Sequence, residues 1–206
     1  MTKREFALEE GSERRVQLEW RGMWKDFTVS LDGRELGRMN GRLELENGDI
    51  YPLEDGTVLE VKLTTGLTTE LMVTRDGVPL PGTDADPREQ VNAASGVVLF
   101  IAGLNLVLGF VAELGQVGLL LEIGAGWTSV VLGVVFLGLG LWARKGSKLA
   151  LILAIVLFTL DGALGLYFTM EAGGTPSTGG VVMRVFLLIA MGKGVMAMDE
   201  AKAKRA

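Results

Sequence analysis

The chain has 206 residues, with 20 Lys and Arg against 25 Asp and Glu, and neither histidine nor cysteine. Those two absences exclude a disulfide framework, a thiolate nucleophile, sulfur- or imidazole-ligated metal and a serine-histidine-acid triad, so only carboxylate, lysine or magnesium chemistry is left to an enzyme. Hydrophobic residues make up 49% of the chain, and their long runs concentrate after position 92, the pattern of a polypeptide that crosses a bilayer.

Charge divides the chain in the same place. Residues 1–90 hold 12 basic and 19 acidic side chains, net −7, whereas residues 91–206 hold 8 and 6, net +2. The scattered positive charge of the acidic first half argues against a nucleic-acid surface, which needs it concentrated. The opening MTKREFALEE runs directly into charged residues, which predicts an N-terminal arm over residues 1–13 and no cleavable signal peptide before the first domain.

Residues 14–82 read as a small all-β domain, mainly antiparallel, of the sandwich or small-barrel kind. RVQLEW puts Val16, Leu18 and Trp20 on one face, DFTVSL puts Phe27, Val29 and Leu31 on one face, and VLEVKL does the same with Leu59, Val61 and Leu63. RLELE alternates Leu43 and Leu45 with acids and reads as a further strand. Period two marks half-buried strands. Asp32-Gly33, Asn47-Gly48, Asp55-Gly56 and Asp76-Gly77 fall between these runs, and such pairs supply the positive φ of tight hairpins. Seven or eight short strands result. Trp20 and Trp24, either side of RGM, have two readings: core filling, which small β domains favour for so large a side chain, or a partner-binding surface. The acidic NGDIYPLEDG lacks the alternating oxygen ligands of a calcium loop, so no metal site is assigned.

Pro79 and Pro81 fix an extended exit strand, and a linker with a helix start is expected over residues 83–93. Within it Asp86 is placed as an N-cap, Pro87 at the first helical position and Glu89 as the reciprocal acid of a capping box, which would couple the β domain to the first span.

Four apolar spans follow, about 94–112, 119–143, 149–170 and 180–198, each near the roughly 20 residues that cross about 30 Å of hydrocarbon. In the second, Glu122, Gly124 and Gly126 leave open whether residues 119–126 span, kink or lie at the interface. The fold class is therefore a polytopic α-helical membrane protein, a four-span bundle carrying an N-terminal β domain. Arg144, Lys145 and Lys148 lie between spans two and three, and a basic tail at residues 199–206 contains Lys202, Lys204 and Arg205, whereas the other two connections hold no Lys or Arg. The positive-inside rule then puts both termini and the β domain in the cytoplasm of a plasma or inner membrane. Trp142 and Tyr167 fall near span ends, where amphipathic aromatics sit.

Four charged residues and one amide fall inside the spans: Glu122, Asp161, Arg184, Lys193 and Asn105. Each charge in hydrocarbon costs about 2.5–3.5 kcal/mol on insertion scales, so they should face one another, a partner or water. Depth pairs Glu122 with Arg184, and Asp161 with Arg184 or Lys193, with Asn105 near the level of Asp161. A polar clasp is one reading of this network and an ion or solute path another. A lone aspartate without a second acid at its depth does not make aspartyl chemistry, so no catalytic residue, no enzyme activity and no cofactor are assigned. The preferred function is an integral membrane interaction or regulatory protein whose β domain meets a cytoplasmic protein; the alternative is a small oligomeric channel or transporter. The lipid bilayer, a cytoplasmic protein and a homo-oligomer are the partners these readings imply.

Overall fold

A computed structural model describes residues 1–65, 69–116, 126–171 and 173–203. The chain forms two units, Met1–Glu89 and Gln90–Ala206.

The first unit is built of two antiparallel four-stranded sheets around one core. Strands β1 (Thr2–Ala7), β2 (Arg15–Arg21), β3 (Lys25–Leu31) and β4 (Arg34–Met39) lie in that order in one sheet. The other holds β5 (Asp49–Pro52), β6 (Val58–Thr65), β7 (Thr69–Arg75) and β8 (Val78–Pro79), again in chain order. The apolar residues that alternate along β2, β3, β6 and β7 all enter the shared core, with Val16, Leu18, Phe27, Val29, Leu59, Val61 and Val73 fully enclosed. Each such side chain contributes about 1.5–3 kcal/mol by leaving water.

Two sequence expectations are corrected. Residues 2–7, expected within a free arm, form β1 and pair with β2 from Thr2↔Trp20 to Ala7↔Arg15. Four of its six residues are exposed and only Phe6 is buried, so the strand has no alternating pattern to read. RLELE, expected as a strand, lies in helix α1 (Arg42–Asn47). Its Leu45 is buried while Leu43 is exposed, whereas a strand would have put both on one face. Glu44 accepts the Asn40 N–H at 2.7 Å, and Arg42 donates to Glu46 one helical turn on at 2.7 Å, contacts that favour a helix. Asn47-Gly48 accordingly ends a helix instead of turning a hairpin, with the Gly48 N–H returning to the Glu44 carbonyl at 3.1 Å.

The two sheets are copies of one motif. β1 pairs with β2 at Phe6↔Val16, β2 with β3 at Val16↔Leu31 and Leu18↔Val29, and β3 turns into β4 at Leu31↔Arg34. The second sheet repeats this register at Tyr51↔Leu59, Leu59↔Arg75, Val61↔Val73 and Arg75↔Val78. The sequence carries the same correspondence once the pairing is known: FALEEGS at 6–12 matches YPLEDGT at 51–57, and VSLDGREL at 29–36 matches VTRDGVPL at 73–80. Both hairpin corners are built alike. Asp32 and Asp76 adopt φ 51° and 49°, followed by Gly33 and Gly77 at 84° and 78°, the left-handed pair that a two-residue hairpin requires. The Asp32 carboxylate accepts the Arg15 N–H at 2.7 Å and Asp76 accepts the Val58 N–H at 2.9 Å, while each aspartate N–H returns to the carbonyl of that same residue. The Arg15 N–H, reinforced by the Arg14 guanidinium, holds the Asp32 carboxyl below the usual carboxylate range.

After β8 the chain stays fastened to this unit. Leu80 and Thr83 are buried, the Thr83 hydroxyl donates to the Leu80 carbonyl, and Asp84 pairs with Arg4 at 3.1 Å. Asp86 accepts the Arg88 N–H at 3.1 Å, as an N-cap does, and its other oxygen accepts the Gly82 N–H at 3.0 Å. The Asp86 N–H goes to the Thr83 carbonyl, and Glu89 is exposed.

The remaining elements are α2 (Pro87–Leu114), α3 (Trp127–Arg144), α4 (Lys148–Glu171) and α5 (Thr178–Ala203). Among the described residues these four helices are long and apolar enough to cross a membrane. α2 and α3 meet along an antiparallel seam of period seven: a Cβ on Gly140 would lie 2.7 Å from Leu99, and one on Gly133 would lie 2.7 Å from Leu106. At the next step Glu113 accepts the Trp127 N–H at 3.0 Å beside Gly126. Leucines at 99 and 106 therefore enter spaces left by glycines at 140 and 133, the close approach that small residues give helices in lipid.

Candidate functional site

α4 and α5 run antiparallel and are fastened at two levels. Lys148 donates to Asp199 at 2.7 Å, and thirteen residues further along α4 Asp161 meets Arg184. The Arg184 guanidinium donates one N–H to Asp161 Oδ2 at 2.9 Å and another to the Phe158 carbonyl at 3.1 Å. Its central carbon lies 5.0 Å from the centre of the Phe158 ring, within cation–π range. Phe158 in turn meets Phe136 of α3 edge-on at 6.3 Å, so three helices share the cluster.

Local sequence explains the fit. Asp161 and Phe158 stand three apart on one face of α4, and Gly162 leaves the space that the guanidinium fills: a Cβ there would lie 3.2 Å from Arg184 Cζ. Asp161 is ten residues from the end of α4, about 15 Å along the axis. The pair is only partly enclosed, with Arg184 37% and Asp161 35% exposed at the side chain. Exposed residues near it in the chain include the apolar Leu160, Leu164, Val185 and Phe186, and Thr159, whose hydroxyl donates to the Ile155 carbonyl at 2.8 Å.

The other expected members of the network stand differently. Asn105 donates to the Ile101 carbonyl of its own helix at 2.9 Å, which satisfies the amide locally. Lys193 is half-buried on α5, nine residues or about 13 Å along the axis from Arg184; Asp161 takes Arg184 as its partner. Glu122 and the Glu122–Arg184 expectation lie outside the described residues. Sequence reading missed Glu113. An acid closing an apolar run, with no side-chain cap at Gly126, is the signal that marks it.

In the β unit, Trp20 and Trp24 stack with ring centres 4.9 Å apart and planes at 22°, and Phe27 lies 5.6 Å from Trp20. Trp20 is buried and belongs to the core, whereas Trp24 is only half-buried against that core. Trp24 sits in the β2–β3 hairpin at φ 66°, a left-handed conformation costly for so large a residue, beside Met23, which is 83% exposed. No family model, curated protein or solved structure matches the chain.

Proposed function

We propose that this is an integral membrane interaction or regulatory protein, anchored by α2–α5, whose β unit binds a protein partner through the Trp24 hairpin on the cytoplasmic side of a plasma or inner membrane. The observation that carries the reading is the internal repeat. The second copy of the motif closes the corresponding hairpin with Thr64, Thr65, Thr69 and Glu70 flanking it, without any tryptophan and without the register shift that the first copy has between Glu19 and Arg21. Folding the motif thus does not require an aromatic at the tip, and strained, half-buried Trp24 beside exposed Met23 has the character of a contact residue.

The cytoplasmic placement rests on the clustering of Arg144, Lys145, Lys148 and Lys202 at one end of the helices. Anchoring as the helices' main task fits the local bonding of Asn105 and the pairing of Asp161 with Arg184, which leave no continuous polar face through the helices among the described residues. The alternative is a small oligomeric channel or transporter, and the partial exposure of the Asp161–Arg184 pair favours it.

Purified protein in liposomes, assayed for proton and monovalent-ion flux alongside Asp161→Asn and Arg184→Gln, is expected to show none. Flux that both changes alter in folded protein would establish the alternative. In cells, a photo-reactive residue at Met23 should give one discrete protein adduct that Trp24→Ala abolishes; an adduct pattern indifferent to Trp24 would sink the hairpin as the contact.

A further inference from the structure

The Asp161–Arg184 pair leaves bonding capacity unused. Arg184 commits two of its five N–H donors, and Asp161 Oδ1 accepts no hydrogen bond among the described residues. This inference rests on the membrane reading of α4 and α5. At mid-helix depth in hydrocarbon, spare donors and acceptors facing lipid are unfavourable unless a polar partner takes them. The exposed side chains nearest in the chain are apolar apart from Thr159, whose hydroxyl proton goes to the Ile155 carbonyl.

We infer that this face of α4 and α5 pairs with a second copy of the chain across a two-fold axis, Arg184 of each protomer reaching Oδ1 of its partner's Asp161. The argument is charge complementarity. A surface that presents one spare donor fork and one spare acceptor side by side is complementary to its own image after a two-fold rotation, and an isologous contact uses one patch twice. Four charges then form a closed alternating ring, satisfied without water. Gly165, one turn beyond Asp161, is exposed with open space where a Cβ would stand, which lets a second helix approach closely. Leu164 and Val185 would flank the ring in the contact.

The natural absence of cysteine makes the test clean. Full-length chains carrying Leu164→Cys, Val185→Cys or, on α2, Phe100→Cys are reconstituted in liposomes at low protein density and oxidised, with carbonate extraction checking insertion. The membrane reading fails separately, if the chain is extracted. Disulfide dimers are expected from the first two at about ten times the yield of the third, a preference that Asp161→Asn should reduce about tenfold. Because that change also loosens the fold, a charge-mixing arm accompanies it. Chains with Asp161→Lys and chains with Arg184→Glu should each stay monomeric alone and form mixed dimers when co-expressed. Monomers at every lipid dilution, equal cross-linking at Phe100, or dimers unaffected by either arm would each overturn the inference.

Discussion

Arg184 reaches across from α5 to a carboxylate, a carbonyl and an aromatic face, so its removal strands the charge of Asp161 and not merely a contact. Asp161→Asn and Arg184→Gln are each expected to destabilise the helices by about 1–2 kcal/mol, and the double variant to regain part of that loss, as seen in thermal unfolding in detergent. Gly162→Ala should cost about 1–3 kcal/mol without touching a charge, because its methyl would occupy the guanidinium's place. If Gly162→Ala proves neutral, the glycine is not what seats Arg184. In the β unit, Asp32 has a folded pKa below the value of about 3.9 that an unperturbed aspartate has in the unfolded chain. Its contribution is therefore complete above that value and is lost as pH falls through the folded pKa. Asp55, held low by Thr57 and then by Arg75 and Arg14, acts in the same direction. Tryptophan fluorescence should report constant stability from neutral pH to about 5 and a decline below, and Asp32→Asn should flatten that decline while leaving the neutral and alkaline range parallel.

At the scale of elements, the α2–α3 seam makes a contrast among glycines of one helix. A Cβ on Gly133 or Gly140 meets Leu106 or Leu99, whereas one on Gly138 meets nothing within 4 Å. Gly133→Ala and Gly140→Ala should each destabilise by about 1–3 kcal/mol, and Gly138→Ala should be neutral or slightly stabilising, because alanine is the better helix former. Equal effects at all three positions would remove the seam from the account. These helices were legible in the sequence because length and hydropathy suffice to see them. The seam was not, since the glycines at 133 and 140 acquire meaning only opposite leucines at 99 and 106, and pairing across helices is invisible in one chain. The hairpins at Asp32-Gly33 and Asp76-Gly77 were legible for a local reason, their left-handed turn chemistry. RLELE was misread because Leu43 and Leu45 imitate period two, and the Arg42–Glu46 pair that favours a helix carries no hydrophobic signal. Asp161 stood out in its apolar run, and depth narrowed its partner to Arg184 or Lys193; choosing between them required the space at Gly162.

On the scale of the whole molecule, the Met1–Glu89 unit has its own enclosed core and a register repeated within itself. Residues 1–86 expressed alone should therefore fold, giving a dispersed amide spectrum and the cooperative acid transition of the full chain; an unfolded product would mean that the helices supply part of its stability. The repeat escaped the sequence reading because the offset drifts from 45 to 43 to 44 residues along the chain, and the strands between the two matching segments share only polarity. Matched halves carry a hazard of mistaken identity. Two chains at high concentration offer each other two first halves as readily as a first and a second, and the two sheets share a core without pairing strands, so no hydrogen-bond register between them rejects the wrong match. The core residues reject it by volume: Trp20 and Phe27 of one half correspond to Leu63 and Leu71 of the other, so two large halves overfill the shared interior and two small halves leave it hollow. By volume, then, one large and one small half fill the shared interior, and two like halves do not.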